Sequence, residues 1–316
     1  MHPLSHLYFY KYRVVIRPKK ELILPQYKGS LLRGLFGHAL KKVICPQRAF
    51  SCDDCEVRCA CAYSLLMATP IPEDHPHAGK YRYPPRPYVI EPPLTEERYF
   101  NPRSLLSFEI VLIGVANEYL PYFIHAFLEM GRRSANGNMF EVLSVVTLDL
   151  EGKEVALVFS RDDKSIRAPG RKIEYHLFLG KEAGSDTVTI VLETPLRIKE
   201  DERLSRTAPF YLLVERLSER AFLLSHFYCG AAMGNFKEFA QDAGKVETVE
   251  SLVRWVDWER YSSRQKTRMR LGGIVGSITY RGDFRKYLPL LHLGEHIHVG
   301  KAATFGLGKY RVVMGG

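Results

Sequence analysis

Apolar and polar residues alternate through residues 7–17 (LYFYKYRVVIR), the period of two that predicts a half-buried strand. The period then changes. In PQYKGSLLRGLFGHALKKVI, Leu31, Leu32, Leu35, Phe36 and Leu40 fall at helical spacing, which predicts a helix starting near Gly29 and Ser30. Lys41 and Lys42 close it, and Cys45-Pro46 stops it, because a residue before proline is pushed out of helical geometry. A cysteine-rich loop over 45–61 comes next. The insertion over 70–102 is so rich in proline that it must be loops and short edge segments.

Regularity returns at 105–115 (LLSFEIVLIGV), a buried strand, followed by a helix over 119–133 and strands at 140–149, 154–159 and 173–180. This β-α-β-β order resembles a ferredoxin-like unit, with helices on one face of an antiparallel sheet. GKEAGSD (180–186) is small, polar and suited to a linker. A strand at 187–198 opens a second strand-first unit, with a long helix over 208–228 and another helical stretch over 249–258. A strand at 269–282 follows, bent at Gly272, Gly273 and Gly276, then a short helix over 284–291 and a final strand at 309–313. The expected fold is α+β: tandem ferredoxin-like (RRM-like) domains over 1–183 and 184–316, the second with a C-terminal glycine-rich loop at 299–308. No sequence repeat is visible, so the pairing rests on element order.

Composition adds little to this picture, but charge adds a partner. The 316 residues, 46% hydrophobic and 25% charged, suffice for two globular domains. The first residues lack the continuous apolar stretch of a signal peptide, and no window approaches the ~18 apolar residues of a membrane span, so a cytoplasmic protein without a membrane partner is expected. The net charge of +10 is unevenly spread. Residues 1–50 hold 10 Lys/Arg against one Glu, and 251–316 hold 12 against 4, whereas 51–250 hold 23 against 30. A basic beginning and a basic end around an acidic middle predict a surface for a polyanion.

The segment HVGKAATFGLGKYRVV (298–313) carries the most information. Gly300, Gly306 and Gly308 let backbone approach a phosphate or base without Cβ obstruction, Lys301 and Lys309 add charge, and Phe305 offers a stacking face. It matches neither G-x-x-x-x-G-K-[ST] nor G-x-G-x-x-G, and a tight connection into an edge strand accounts for the same glycines. Arg264, Lys266, Arg268 and Arg270 alternate, so an extended backbone would set all four on one face as a phosphate track. His296 and His298 would share a face if 295–299 is extended, and with His292 they form an alternative catalytic or metal-binding group. Five of the six cysteines lie in the spacing C-x6-C-x2-C-x3-C-x-C (Cys45, Cys52, Cys55, Cys59, Cys61), and C-x2-C is a knuckle that sets two thiolates on one tetrahedral ion. Zinc is the expected ion, and an iron–sulfur cluster takes the same ligands. The loop itself holds Asp53, Asp54 and Glu56 against only Arg58, the wrong sign for reading phosphate.

The glycine-rich VGKAATFGLGKY resembles the signature loop of the RAMP superfamily of CRISPR RNA-binding proteins, and more narrowly that of the CRISPR-associated repeat-processing endoribonucleases. WERYSSRQKTRMRLGGIVGSITYRGDF (258–284), PQYKGSLLRGLFGHALKKVIC (25–45) with its following cysteines and C-A-Y, and RPYVIEPP (86–93) resemble the same family in the same order. The likeness covers most of the chain and is weakest over roughly 134–185.

The resemblance implies a metal-independent cut within each repeat of precursor CRISPR RNA. The 2′-hydroxyl attacks the adjacent phosphorus, leaving a 2′,3′-cyclic phosphate and a 5′-hydroxyl. That reaction needs a base, an acid and cationic donors. His38, close to where related enzymes place a catalytic residue, is the choice for the base, with Arg33, Lys41 and Lys42 as charge partners; no complete catalytic set maps onto the chain. The family's Cys-x-Tyr, matched by Cys61-Ala62-Tyr63, implies Cys45, Cys52, Cys55 and Cys61 as structural zinc ligands, with Cys59 spare or substituting. Two other readings share these features: a non-catalytic RNA-binding subunit of a CRISPR effector complex, and a zinc-dependent nucleic-acid binder.

Overall fold

The computed structural model describes residues 2–46, 52–76, 78–132, 139–180, 185–257, 259–262 and 267–315. The chain forms two compact units, one of residues 7–174 with 227–230, the other of 1–6, 175–226 and 231–316. The linker read at 180–186 falls within the second unit, and its residues 181–184 lie outside the described residues.

In the first unit the elements run β1 (Tyr8–Pro18), β2 (Leu22–Ile23), α1 (Gly29–Ile44), α2 (Ala62–Ala68), β3 (Tyr88–Glu91), β4 (Tyr99–Phe100), β5 (Leu106–Ile113), α3 (Leu120–Arg132), β6 (Phe140–Leu148), β7 (Glu154–Ser160) and β8 (Ile173–Glu174). The main sheet has the order β3-β5-β1-β6-β7, with β8 on the end of β1. Its first four strands and the helices α1 and α3 are a complete β-α-β-β-α-β ferredoxin-like unit. Alternation along β1 sends Tyr12, Val14 and Ile16 into a core with Phe36 and Leu40 of α1 and Phe123 and Phe127 of α3. The strand that completes the unit is β3, four buried residues between prolines in the insertion, paired with β5 at the sheet edge. The strand expected at 173–180 is only Ile173–Glu174, and a 3₁₀ turn takes Tyr175–Phe178.

The second unit repeats the plan. It runs β9 (Thr187–Leu196), β10 (Lys199–Glu200), β11 (Arg203–Leu204), α4 (Phe210–Cys229), α5 (Phe236–Ala240), β12 (Glu247–Val256), β13 (Glu259–Ser262), β14 (Thr267–Arg270), β15 (Gly273–Arg281), α6 (Leu288–Ile297) and β16 (Tyr310–Met314), and its sheet has the order β12-β15-β9-β16. Three expectations change here. The stretch expected to be helical at 249–258 is not so over its described residues 249–257, because Glu247–Val256 pairs along β15 as an edge strand. The strand expected at 269–282 is broken at Leu271-Gly272 into β14 and β15, so that β13 and β14 form a separate hairpin. The helix expected at 284–291 lies further on at Leu288–Ile297, where Pro289 occupies a first-turn position that needs no N–H. Among the described residues no helix is long and apolar enough to cross a membrane.

Candidate RNA-processing site

Helix α1 carries the residues assigned to chemistry. Leu32, Phe36, Ala39 and Leu40 bury one side of it, which leaves His38 exposed. Lys41 follows one turn later and is half-buried. The other two cations are committed elsewhere. Lys42 donates from Nζ to the buried Glu129 of α3, and Arg33 reaches the Met67 sulfur of α2 with Nη2 at 3.6 Å. His38 and Lys41 lie three residues apart, one turn of α1. Its N-terminus is held by Lys28, which sequence reading missed. Only 1% exposed, Lys28 donates from Nζ to the carbonyls of Gln26 (3.2 Å) and Thr95 (2.7 Å), and burial lowers its pKa.

The cysteine loop hangs between two helices. Cys45 caps the end of α1 in extended geometry, as the proline after it requires, and Cys61 precedes the first residue of α2. None of the described residues of 45–61 is buried, so the loop has no apolar core of its own. All six cysteines are free thiols; Cys45, Cys52, Cys55 and Cys61 are half-buried and Cys59 is exposed. Burial raises the Cys52 pKa, Lys41 opposes that, and Cys45, Cys61 and Cys55 raise it further. Charge on the other three thus reaches Cys52. Yet among the described residues no three His, Cys, Asp or Glu groups are placed to hold a metal ion. The two observations differ in reach: charge acts over many ångströms, whereas a zinc–sulfur bond needs about 2.3 Å.

The glycine-rich loop joins α6 to β16 and is packed from within. Gly300, Gly306 and Gly308 have φ of +84°, +81° and +71°, so each serves a left-handed turn. A Cβ on Gly308 would sit 1.9 Å from the Val299 carbonyl oxygen, and one on Gly300 2.4 Å from that of Arg197. Several loop N–H groups are spent inside the protein: Lys301 on Arg197 O, Gly306 on Ala303 O, Gly308 on Pro195 O, and Lys309 on the Thr194 hydroxyl. The tight connection into an edge strand is therefore sufficient reason for these glycines. Lys301 is exposed, while Lys309 is half-buried with Nζ 3.8 Å from Glu193.

The histidine group does not form as expected. Residues 295–297 continue α6 instead of extending, so His292 and His296 lie one turn apart on a helix. His292 Nδ1 is 2.9 Å from Glu295 Oε2, His296 packs on Phe178, and His298 is fully buried with Nδ1 3.1 Å from the Leu307 carbonyl. These partners give each ring a structural role. Of the basic run, Arg264 and Lys266 lie outside the described residues, while Arg268 and Arg270 occupy alternate positions of β14, opposite Tyr261 and Glu259.

Comparison with known proteins divides the chain at the same place as the fold. The model of the AF_1859_N family (N-terminal domain) matches residues 7–171, and that of the CRISPR-associated endoribonuclease Cas6 matches residues 190–310. An uncharacterized protein of Archaeoglobus fulgidus is 29% identical over 313 residues, 94% of this chain and 96% of that one. Among solved structures, Thermus thermophilus Cas6 has a TM-score of 0.55 at 13% identity, covering 97% of this chain and 99% of that one. A Cas6 product complex has a TM-score of 0.58 at 13% identity, covering 96% and 100%. A partial Cas6-RT-Cas1–Cas2 complex also gives 0.58, at 14% identity over 98% of this chain, which spans only 47% of that chain's length. At these identities the structural matches establish the fold, and they extend over both ferredoxin-like units.

Proposed function

The chain belongs to the AF_1859_N family over its first unit and carries a Cas6 endoribonuclease domain over its second, which makes it a CRISPR-associated repeat-processing protein of the RAMP type; on that premise we propose that it cuts precursor CRISPR RNA within the repeats without a metal ion. The observation that carries the reading is the Cas6 match over 190–310, which takes in the basic hairpin and the glycine-rich loop. In the proposed reaction the 2′-oxygen attacks the adjacent phosphorus as its proton passes to the base, and the 5′-oxygen leaves with a proton. A 2′,3′-cyclic phosphate and a 5′-hydroxyl remain. His38 is the base: it is exposed on α1, an imidazole titrates near neutrality, and Lys41 one turn away supplies positive charge for the phosphorane. Arg268, Arg270, Lys301 and Lys309, with Arg264 and Lys266, bind the RNA backbone. Arg33 and Lys42, committed to Met67 and Glu129, serve α1 itself. The four thiols of Cys45, Cys52, Cys55 and Cys61 take one structural zinc, which draws them from their present spacing to bonding distance.

The test is incubation of the purified chain with labelled repeat RNA in excess EDTA. One cut, with a cyclic-phosphate end and sensitivity to 2′-deoxy substitution at the cut site, is expected. His38→Ala should lose about 10²–10⁴ in rate while binding RNA unchanged. Tight binding of RNA that stays intact would identify instead a non-catalytic subunit of an effector complex.

A further inference from the structure

Beside Gly272, where β14 ends, the second unit gathers a set of residues of which sequence reading singled out only Gly272 and Lys301. Trp255, half-buried near the end of β12, packs its indole on Gly272, where a Cβ would come within 2.6–2.8 Å of three ring atoms. The exposed Arg206 lies over the same indole, its guanidinium carbon 5.4 Å from the ring centroid. Gly272 in turn accepts at its carbonyl from Arg197 Nη1. The Arg197 Nε is buried and has no hydrogen-bond partner among the described residues. Burial lowers the pKa of that guanidinium, with Asp257 acting against the shift. Arg197 also reaches the glycine-rich loop, because its carbonyl accepts the Lys301 N–H at 2.7 Å and closely abuts Gly300. One continuous path therefore links Arg206, Trp255, Gly272, Arg197 and Lys301.

Packing alone does not call for this arrangement. β12 is an edge strand whose residues 247–252 are all exposed, and an indole on it needs a glycine opposite to have any wall. A flat aromatic surface ringed by cations is what recognition of a single-stranded nucleotide requires, with the ring taking a base and the cations taking phosphate. The buried Nε of Arg197 lacks an acceptor among the described residues and the guanidinium donates to one carbonyl only, so its charge is left for an anion to complement. Two acids act on these cations: Asp257 on Arg197, and Glu202, bonded to Lys199 at 2.7 Å, on Lys301.

We propose that Trp255, Arg197, Arg206 and Lys301 form a binding site for one unpaired RNA nucleotide, its base stacked on the indole and its phosphate held by the guanidinium groups and Lys301. The base displaces the Arg206 guanidinium from the ring, an exchange that favours binding because stacking a base outweighs an exposed cation–π contact. The site deepens the RNA-processing reading above and rests on it.

The protein contains two tryptophans, so a Trp258→Phe background leaves Trp255 as the only indole emitter. Titration of that full-length chain with unstructured repeat RNA should quench Trp255 emission. Heparin, a polyanion without bases, should bind with no quenching. Trp255→Leu should weaken RNA affinity about ten-fold and Trp255→Phe far less. RNA binding with unchanged emission, or equal affinities for the Leu and Phe variants, would overturn the site and leave the indole as packing for Gly272, with the endoribonuclease reading intact. Failure of the unaltered chain to bind any RNA would overturn that reading and this site together.

Discussion

Lysines 41 and 42 look alike in the sequence and differ in the fold. Lys42 is tied to Glu129, a carboxylate that is 8% exposed on α3 and that would be left unpaired in the protein interior without it. A charge stranded there costs several kcal/mol in the limit, but Lys42 is itself 43% exposed and water reaches its side of the pair. A loss of about 1–2 kcal/mol on Lys42→Ala is the expectation after that screening, read as a lowered urea midpoint with RNA affinity unchanged. Lys41→Ala should do the opposite, weakening RNA binding or cleavage at unaltered stability. Equal effects of the two on RNA would place both at the ligand. The glycines show the same divergence at the scale of one atom. Gly308 has no room for a methyl group beside Val299, so its identity is fixed by backbone contact before any ligand arrives.

At the scale of elements, much was legible because burial leaves a period in the sequence. β1, α1, α3, β9 and α4 stand where alternation or 3.6-residue spacing put them, since each has one face in a core. Two elements left no such period, for different reasons. β12 is an exposed edge strand, so no buried face imposed a period on Glu247–Val256. β3 is four residues between prolines, and the strand that makes the first unit ferredoxin-like is thereby its least conspicuous. Of the candidate residues, His38 is chosen by resemblance and stands exposed on α1, whereas Arg197 and Trp255 meet at Gly272 only through the fold, which no spacing makes legible. The cysteine loop is the element whose spacing says more than its packing. With no buried side chain among its described residues it needs another source of order, and one bound zinc is the source we propose. Purified protein should carry close to one zinc per chain, and replacing Cys52 and Cys55 by Ser should abolish it and loosen 45–61 to protease. Folded, protease-resistant protein free of metal would remove the zinc from the account.

At the scale of the whole molecule, the charge is divided between the two units in a way neither fold requires. The 10 cations of residues 1–50 and the 12 of 251–316 stand against one and 4 acids, while the segment between them is acidic. Some of that excess is structural: Arg13 and Lys11 pair with Glu109 at 2.9 and 2.8 Å, and Arg285 with Asp283 at 2.6 Å. Others, Lys41 on α1 and Arg268, Arg270 and Lys301 in the second unit among them, are the cations proposed to hold RNA. Cations that hold RNA phosphates release condensed counterions, so affinity falls with a log–log slope of about −0.7 per phosphate on a single strand. Six such contacts predict a slope near −4, and a loss of about two and a half orders of magnitude between 50 and 200 mM salt. Each of Arg268→Ala, Arg270→Ala and Lys301→Ala should make the slope shallower by about one contact, and Lys42→Ala should leave it unchanged. An affinity that is flat in salt would mean that the basic ends are solvated surface, and that whatever RNA the chain holds is held by stacking alone.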